Sequence, residues 1–146
     1  MGYYSEVRCL IYGQPDTLQA FITTHQLIFS SPAFEHFKAN LTMYPMENTN
    51  DAGEPETLHV LDLNSNGRIW KWNTSFPDVG SWIELMADVR DQADIQYEFA
   101  RIGEGDGDSM DIETESSELN LELLYVARPT VEVNVPGQGE NIPLNL

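Results

Sequence analysis

Twelve carboxylates fall into two patterned sets whose chemistry is the binding of a positively charged surface. From Ile102 to Ala127 the chain carries Glu104, Asp106, Asp108, Asp111, Glu113, Glu115, Glu118 and Glu122, with no Lys or Arg among them. Read as a strand, Asp111, Glu113 and Glu115 line one face, and alternate residues of a strand stand roughly 6.6–6.8 Å apart. Successive phosphates of a DNA strand lie roughly 6–7 Å apart through space, given a rise of about 3.4 Å plus the winding of the backbone. A second set, Glu84, Asp88, Asp91 and Asp94, recurs at helical offsets, with about 4.5–6 Å of rise between members. Rows of like charge repel one another and build cores poorly, so they point outward to a partner. The plainer reading of both is a solvated face that aids solubility.

Other chemistry finds little support. His25, His36 and His59 have no metal-ligand spacing, and His25 continues an apolar helix face as a packing residue. Asp62-Leu63-Asn64-Ser65-Asn66-Gly67-Arg68-Ile69 opens like a calcium loop, but its twelfth position is Asn73 where a bidentate Glu is required. A plain Asn-Gly turn explains the same letters. Phosphate-binding, dinucleotide and hydrolase motifs are absent, so no catalytic residue, metal or cofactor is assigned. Cys9 lies in the apolar run Cys9-Leu10-Ile11 and reads as a buried structural thiol. Trp70 and Trp72 share a strand face; core packing explains them better than a base-stacking platform.

The elements that must hold these residues follow from periodicity. Residues 3–12 read as a strand, and Pro15 opens a helix to about Leu27 with Leu18, Phe21, Ile22 and His25 inward. Ser30-Ser31-Pro32 starts a short helix carrying Phe34 and Phe37. Residues 44–57 read as a long acidic loop, rich in Pro, Asn and Gly. Leu58–Leu63 and Arg68–Trp72 read as strands of a hairpin turning at Asn64-Ser65-Asn66-Gly67. Ser75 to Asp91 is the best helix, with Trp82, Leu85, Met86 and Val89 inward. Then comes a meander: Ile95–Ile102, Met110–Thr114 and Leu119–Val126, continuing to Val135. The expectation is a single α+β domain over residues 1–135, a ferredoxin-like antiparallel sheet with two main helices on one face, a C-terminal β-meander and a flexible tail at 136–146.

Composition narrows the function classes. Seven Lys and Arg oppose 24 Asp and Glu in 146 residues, a formal net charge of −17. That argues against direct contact with nucleic acid or anionic membrane, both of which need cations to neutralise phosphate. No apolar run approaches membrane-spanning length, the N-terminus does not read as a signal peptide, and one cysteine suits a reducing compartment, so the cytoplasm is expected.

The run Tyr3-Tyr4-Ser5-Glu6-Val7-Arg8, the hairpin letters, the Phe76-Pro77-Asp78 helix entry and Tyr97-Glu98-Phe99-Ala100-Arg101-Ile102-Gly103-Glu104 resemble small proteins of tailed phages with ferredoxin-like folds. Small acidic phage proteins of this style include anti-restriction and anti-CRISPR inhibitors, some of which imitate DNA. The resemblance implies a role in host–virus interaction: a partial nucleic-acid mimic that occupies the basic groove of a host defence or nucleic-acid-processing protein. The alternative is an interaction module that docks through its apolar and aromatic surface or the 44–57 loop, with acidity serving solubility; a third reading is a small enzyme of unknown chemistry. The first 40 residues hold only Glu6, Asp16 and Glu35, so any mimicry is confined to part of the surface.

Overall fold

The computed structural model describes residues 3–37, 41–67, 70–73, 75–104, 110–117, 121–127 and 130–144. The chain is α+β, built on a mostly antiparallel sheet. Strands are β1 (Tyr3–Gly13), β2 (Leu41–Thr49), β3 (Pro55–Asn64), β4 (Trp70–Trp72), β5 (Ile95–Glu104), β6 (Met110–Ser116), β7 (Leu124–Ala127) and β8 (Thr130–Val133). Helices are α1 (Pro15–Thr24), α2 (Gln26–Phe29) and α3 (Pro77–Arg90), with a 3-10 turn at Pro32–His36. The main sheet runs β2-β3-β1-β5-β6, and every neighbouring pair is antiparallel.

Central β1 is apolar on both faces because both are covered. Val7, Cys9 and Ile11 meet the helices; Leu10 and Tyr12 meet the C-terminal segment. The helix-side core joins Leu18, Phe21 and Ile22 of α1 to Val79, Trp82, Leu85, Met86 and Val89 of α3, as their spacing predicts. Trp70 is buried in this core, stacked with His36 and edge-on to Phe37 and Trp82. Each fully buried side chain of this size is worth about 1.5–3 kcal/mol.

Four expectations need correction. Residues 44–57 are not a loop. β2 and β3 form a hairpin whose turn is pinned by the Asn50 side-chain oxygen, which accepts from Ala52 N (3.0 Å) and Glu54 N (2.9 Å). Pro45 is tolerated because β2 is an outer strand whose outward backbone needs no sheet partner.

Asn64-Ser65-Asn66-Gly67 does not turn a hairpin. β3 and β4 both lie along the same side of β1, with Arg8 opposite Asn64 and Ser5 opposite Trp70. The turn-forming residues instead absorb extra chain as a bulge: Asn66 and Gly67 take positive φ (55° and 122°), and Ser65 is tied to Val7 through its backbone and its hydroxyl.

The C-terminal strands do not extend the sheet. β7 and β8 pair with each other as a separate two-stranded sheet, and residues around them cover the face opposite the helices. The tail is docked. Pro136 O accepts from Glu47 N (3.2 Å), Gly139 N donates to Pro45 O (3.3 Å) and Ile142 N donates to Met43 O (2.6 Å). Ile142 and Leu144 pack on the helix-side core, so residues 136–144 close the outer edge of β2.

Candidate functional site

The carboxylates divide into three groups by what surrounds them. The first lies between the sheet and the C-terminal segment, where Glu6, Asp62 and Glu98 are buried. Strand alternation puts all three on the face away from the helices. Arg8 clamps Asp62 with Nε to Oδ1 (3.2 Å) and Nη2 to Oδ2 (2.9 Å), and the Tyr44 hydroxyl donates to Oδ2 (3.0 Å). Glu98 accepts from the Tyr12 hydroxyl (2.9 Å) and from Leu124 N (2.9 Å), and Tyr12 Oη accepts from Leu121 N (2.9 Å). Glu6 accepts from Val131 N (3.1 Å). Burial and the neighbouring carboxylates push the Tyr12 and Tyr44 hydroxyls well above their ordinary value. Glu6 and Glu98 hold the C-terminal segment down, whereas Asp62 ties β3 to β1 and β2. Asp62 is thereby spent on Arg8 and Tyr44, and the Asn64 side chain accepts from Asn66 N, so the calcium-like letters serve the fold.

The second group flanks α3. Glu113 takes Arg101 Nε (3.2 Å) and is about half exposed. Glu115 takes Arg90 through two guanidinium nitrogens (2.7–3.0 Å). That contact raises Arg90, burial lowering it less strongly. Asp88 faces His25 across the other flank (Nε2 to Oδ2, 3.2 Å). These three belong to the predicted rows, yet each has a cationic or imidazole neighbour. The predicted β6 row is in register, with Glu113 opposite Arg101 and Glu115 opposite Phe99, on the helix side of the sheet. Glu104 and Asp111 are placed as strand residues, their side chains outside what is described; Asp106, Asp108 and Glu118 lie outside the described residues. Glu122 is exposed, at positive φ (54°), just before the segment that Glu98 holds.

The third group gathers at one end of the sheet. Asp91 caps the C-terminus of α3 and Asp94 follows in the turn to β5, both exposed; Glu84, also exposed, lies back along α3 outside this group. The β2–β3 turn brings Asp51 and Glu54 to this end, and the start of α1 brings Asp16, all exposed. Two adjoining clefts mark it. One, about 450 Å³, is lined by Tyr12, Asp51, Glu56, Leu58, Asp94 and Leu121 with several side-chain amides. The other, about 410 Å³, is lined by Asp16, Phe21, His25, Gln92 and Ile95 among others. Among the described residues, no Lys or Arg lines either cleft. Burial lowers His59 despite the pull of Asp16, so its imidazole adds no full positive charge here at neutral pH. Glu56 is the one acid of this end fixed by neutral donors, Gln14 (2.8 Å) and Asn48 (2.7 Å).

Sequence reasoning found Asp91 and Asp94 but not Asp16, Asp51 and Glu54, which only the fold brings beside them. It missed the buried acids too, although each is a lone carboxylate inside an apolar strand. Cys9 is fully buried, and burial raises its thiol well above the ordinary value. Among the described residues, no three His, Cys, Asp or Glu side chains are grouped to hold a metal ion. Among the described residues, no helix is long and apolar enough to cross a membrane. The chain matches no protein-family model, and comparison with curated proteins and solved structures gave no significant match.

Proposed function

We propose that this chain is a phage-type inhibitor that uses its acidic end to occupy the basic, nucleic-acid-binding surface of a host defence or nucleic-acid-processing protein. The observation that carries the reading is the third group of carboxylates. Asp16, Asp51, Glu54, Asp91 and Asp94 are exposed and come from three separate segments, and Asp16, Asp51 and Asp94 line clefts that no described cation lines. Such a field speeds encounter with a basic surface and fades as salt rises. A ferredoxin-like core is part of the proposal. The order strand, helix, strand, strand, helix, strand, laid out as β2-β3-β1-β5, supports it, with β4, β6 and the β7–β8 sheet as additions. The paired acids Asp88, Glu113 and Glu115 contribute less, because their neighbours already offset part of their charge.

The test is retention of bacterial proteins on the immobilised chain, washed at graded salt and eluted with duplex DNA. The expected outcome is nucleic-acid-binding proteins that release at moderate salt and on addition of DNA. Partners indifferent to both would overturn the reading. The interaction-module alternative has one specific support: Leu27 of α2 is 89% exposed, with Ile83 of α3 also open. It predicts partners that survive high salt and are lost in Leu27→Asp. Of the aromatic residues, Trp70 is buried while Tyr4 and Tyr125 are exposed, and residues 44–57 form a hairpin.

A further inference from the structure

The two outer edges of the main sheet are treated differently. The β2 edge is closed by the chain's own residues 136–142. The β6 edge pairs with no strand on its outer side among the described residues. β6 is seven residues long and contains no Pro; the charges that guard it against pairing with another copy are all acidic, Asp111, Glu113 and Glu115. Its register shows which groups face out. Ser117 N donates to Tyr97 O (3.0 Å), so odd-numbered residues turn their backbone toward β5, and Ile112 and Thr114 turn theirs outward. On the helix side the edge presents Glu113 and Glu115, each held by an arginine (Arg101 and Arg90) yet still 53% and 39% exposed. On the other side a groove of about 630 Å³ runs between β6 and β7, with Leu124, Tyr125 and Val126 as its apolar lining and Glu98, Ser116 and Glu122 as its polar lining.

We propose that the β6 edge accepts an extended segment of a partner protein as an added antiparallel or parallel strand, and that this segment alternates cationic with apolar residues. Backbone pairing at Ile112 and Thr114 supplies the register. Cations on the helix side fall opposite Glu113 and Glu115, at cross-strand distance. Apolar residues on the other side enter the β6–β7 groove. A second copy of this chain fits poorly: continuing the sheet from β6 to β6 with the helices on one side sets acid against acid. The site is separate from the acidic end, so either proposal can fail without the other.

The probe is a blocked seven-residue peptide alternating Lys and Val, titrated into the intact chain while backbone amide exchange is followed residue by residue. The expected result is protection of the Ile112 and Thr114 amides. Affinity should drop about tenfold or more when the peptide amides facing β6 are N-methylated, which removes its donors without changing its charge. Thr114→Pro should have the same effect with the circular dichroism spectrum unchanged, because that N–H faces outward. Asp51→Asn/Asp94→Asn should leave peptide binding unaltered. Protection elsewhere, equal binding of the N-methylated peptide, no binding at all, or concentration-dependent dimerisation blocked by Thr114→Pro would each overturn the proposal.

Discussion

The buried face and the acidic end use the same side-chain chemistry for opposite purposes. Inside, Glu6, Asp62 and Glu98 each meet specific donors: Val131 N, the Arg8 guanidinium with the Tyr44 hydroxyl, and Leu124 N with the Tyr12 hydroxyl. Outside, Asp16, Asp51, Glu54, Asp91 and Asp94 are exposed to solvent. A buried carboxylate is tolerable only when its lone pairs are met, and losing a partner there strands a charge. An exposed one costs little alone, and in numbers it creates a field. Net charge therefore says less about this molecule than where each acid is held. Glu6 and Glu98 fix the C-terminal segment over the sheet, Asp62 links strands within it, and the exterior acids remain exposed.

The contrast can be broken most severely from within. Asp62→Ala leaves Arg8 without its partner in a mostly buried site and should cost about 3–5 kcal/mol, read from urea unfolding. Glu98→Ala strands the Tyr12 hydroxyl and Leu124 N and should cost about 2–3 kcal/mol, with faster amide exchange at Leu124 before global unfolding. A cost below about 0.5 kcal/mol for either would mean the interior acids are as dispensable as surface ones.

Alkaline pH probes the same face. The Tyr12 and Tyr44 hydroxyls are raised in the folded chain, so the fold retains protons that the unfolded chain releases. Their contribution is complete below the unfolded value of about 10 and is lost as pH rises beyond it, at up to about 1.4 kcal/mol per pH unit for each tyrosine. Urea midpoints measured from pH 8 to 11 should fall above pH 10, and Tyr12→Phe should shallow that fall.

Outside, effects on stability should be small. Arg90→Ala removes a half-exposed ion pair with Glu115 and should cost less than about 1 kcal/mol. Neutralising Asp51, Glu54, Asp91 and Asp94 together should change stability by no more than about 0.5 kcal/mol per site. A large loss there would give the exterior acids a structural role and erase the contrast.

Much of the frame was legible because apolar periodicity reports burial directly. Leu18, Phe21 and Ile22 announce α1, and Trp82, Leu85, Met86 and Val89 announce α3. What misled were residues with two uses. Pro45, Asn50 and Gly53 spell a loop, yet an outer strand tolerates Pro and a tight turn needs the other two. Asn66 and Gly67 spell a hairpin, yet their left-handed backbone serves equally in a bulge. The tail shows no alternating strand pattern; it is held through backbone groups, with Gly137 at positive φ and Gly139 close against Pro45. The acidic end was half visible. Asp91 and Asp94 follow a helix pattern, but Asp16 and the β2–β3 turn reach them only through a sheet order that local spacing does not encode. For the interior acids a signal did exist: Asp62 within Val60-Leu61-Asp62-Leu63 and Glu98 within Tyr97-Glu98-Phe99-Ala100 interrupt runs buried on both faces.

The most direct measurement compares the wild-type chain with Asp51→Asn/Glu54→Gln/Asp91→Asn/Asp94→Asn, each immobilised and exposed to a bacterial lysate with and without duplex DNA. The predicted result is retention of nucleic-acid-binding proteins by the wild type alone, abolished by the DNA, with both chains equally stable in urea. Equal retention by the variant, or retention untouched by DNA, would contradict a binding role for the acidic end.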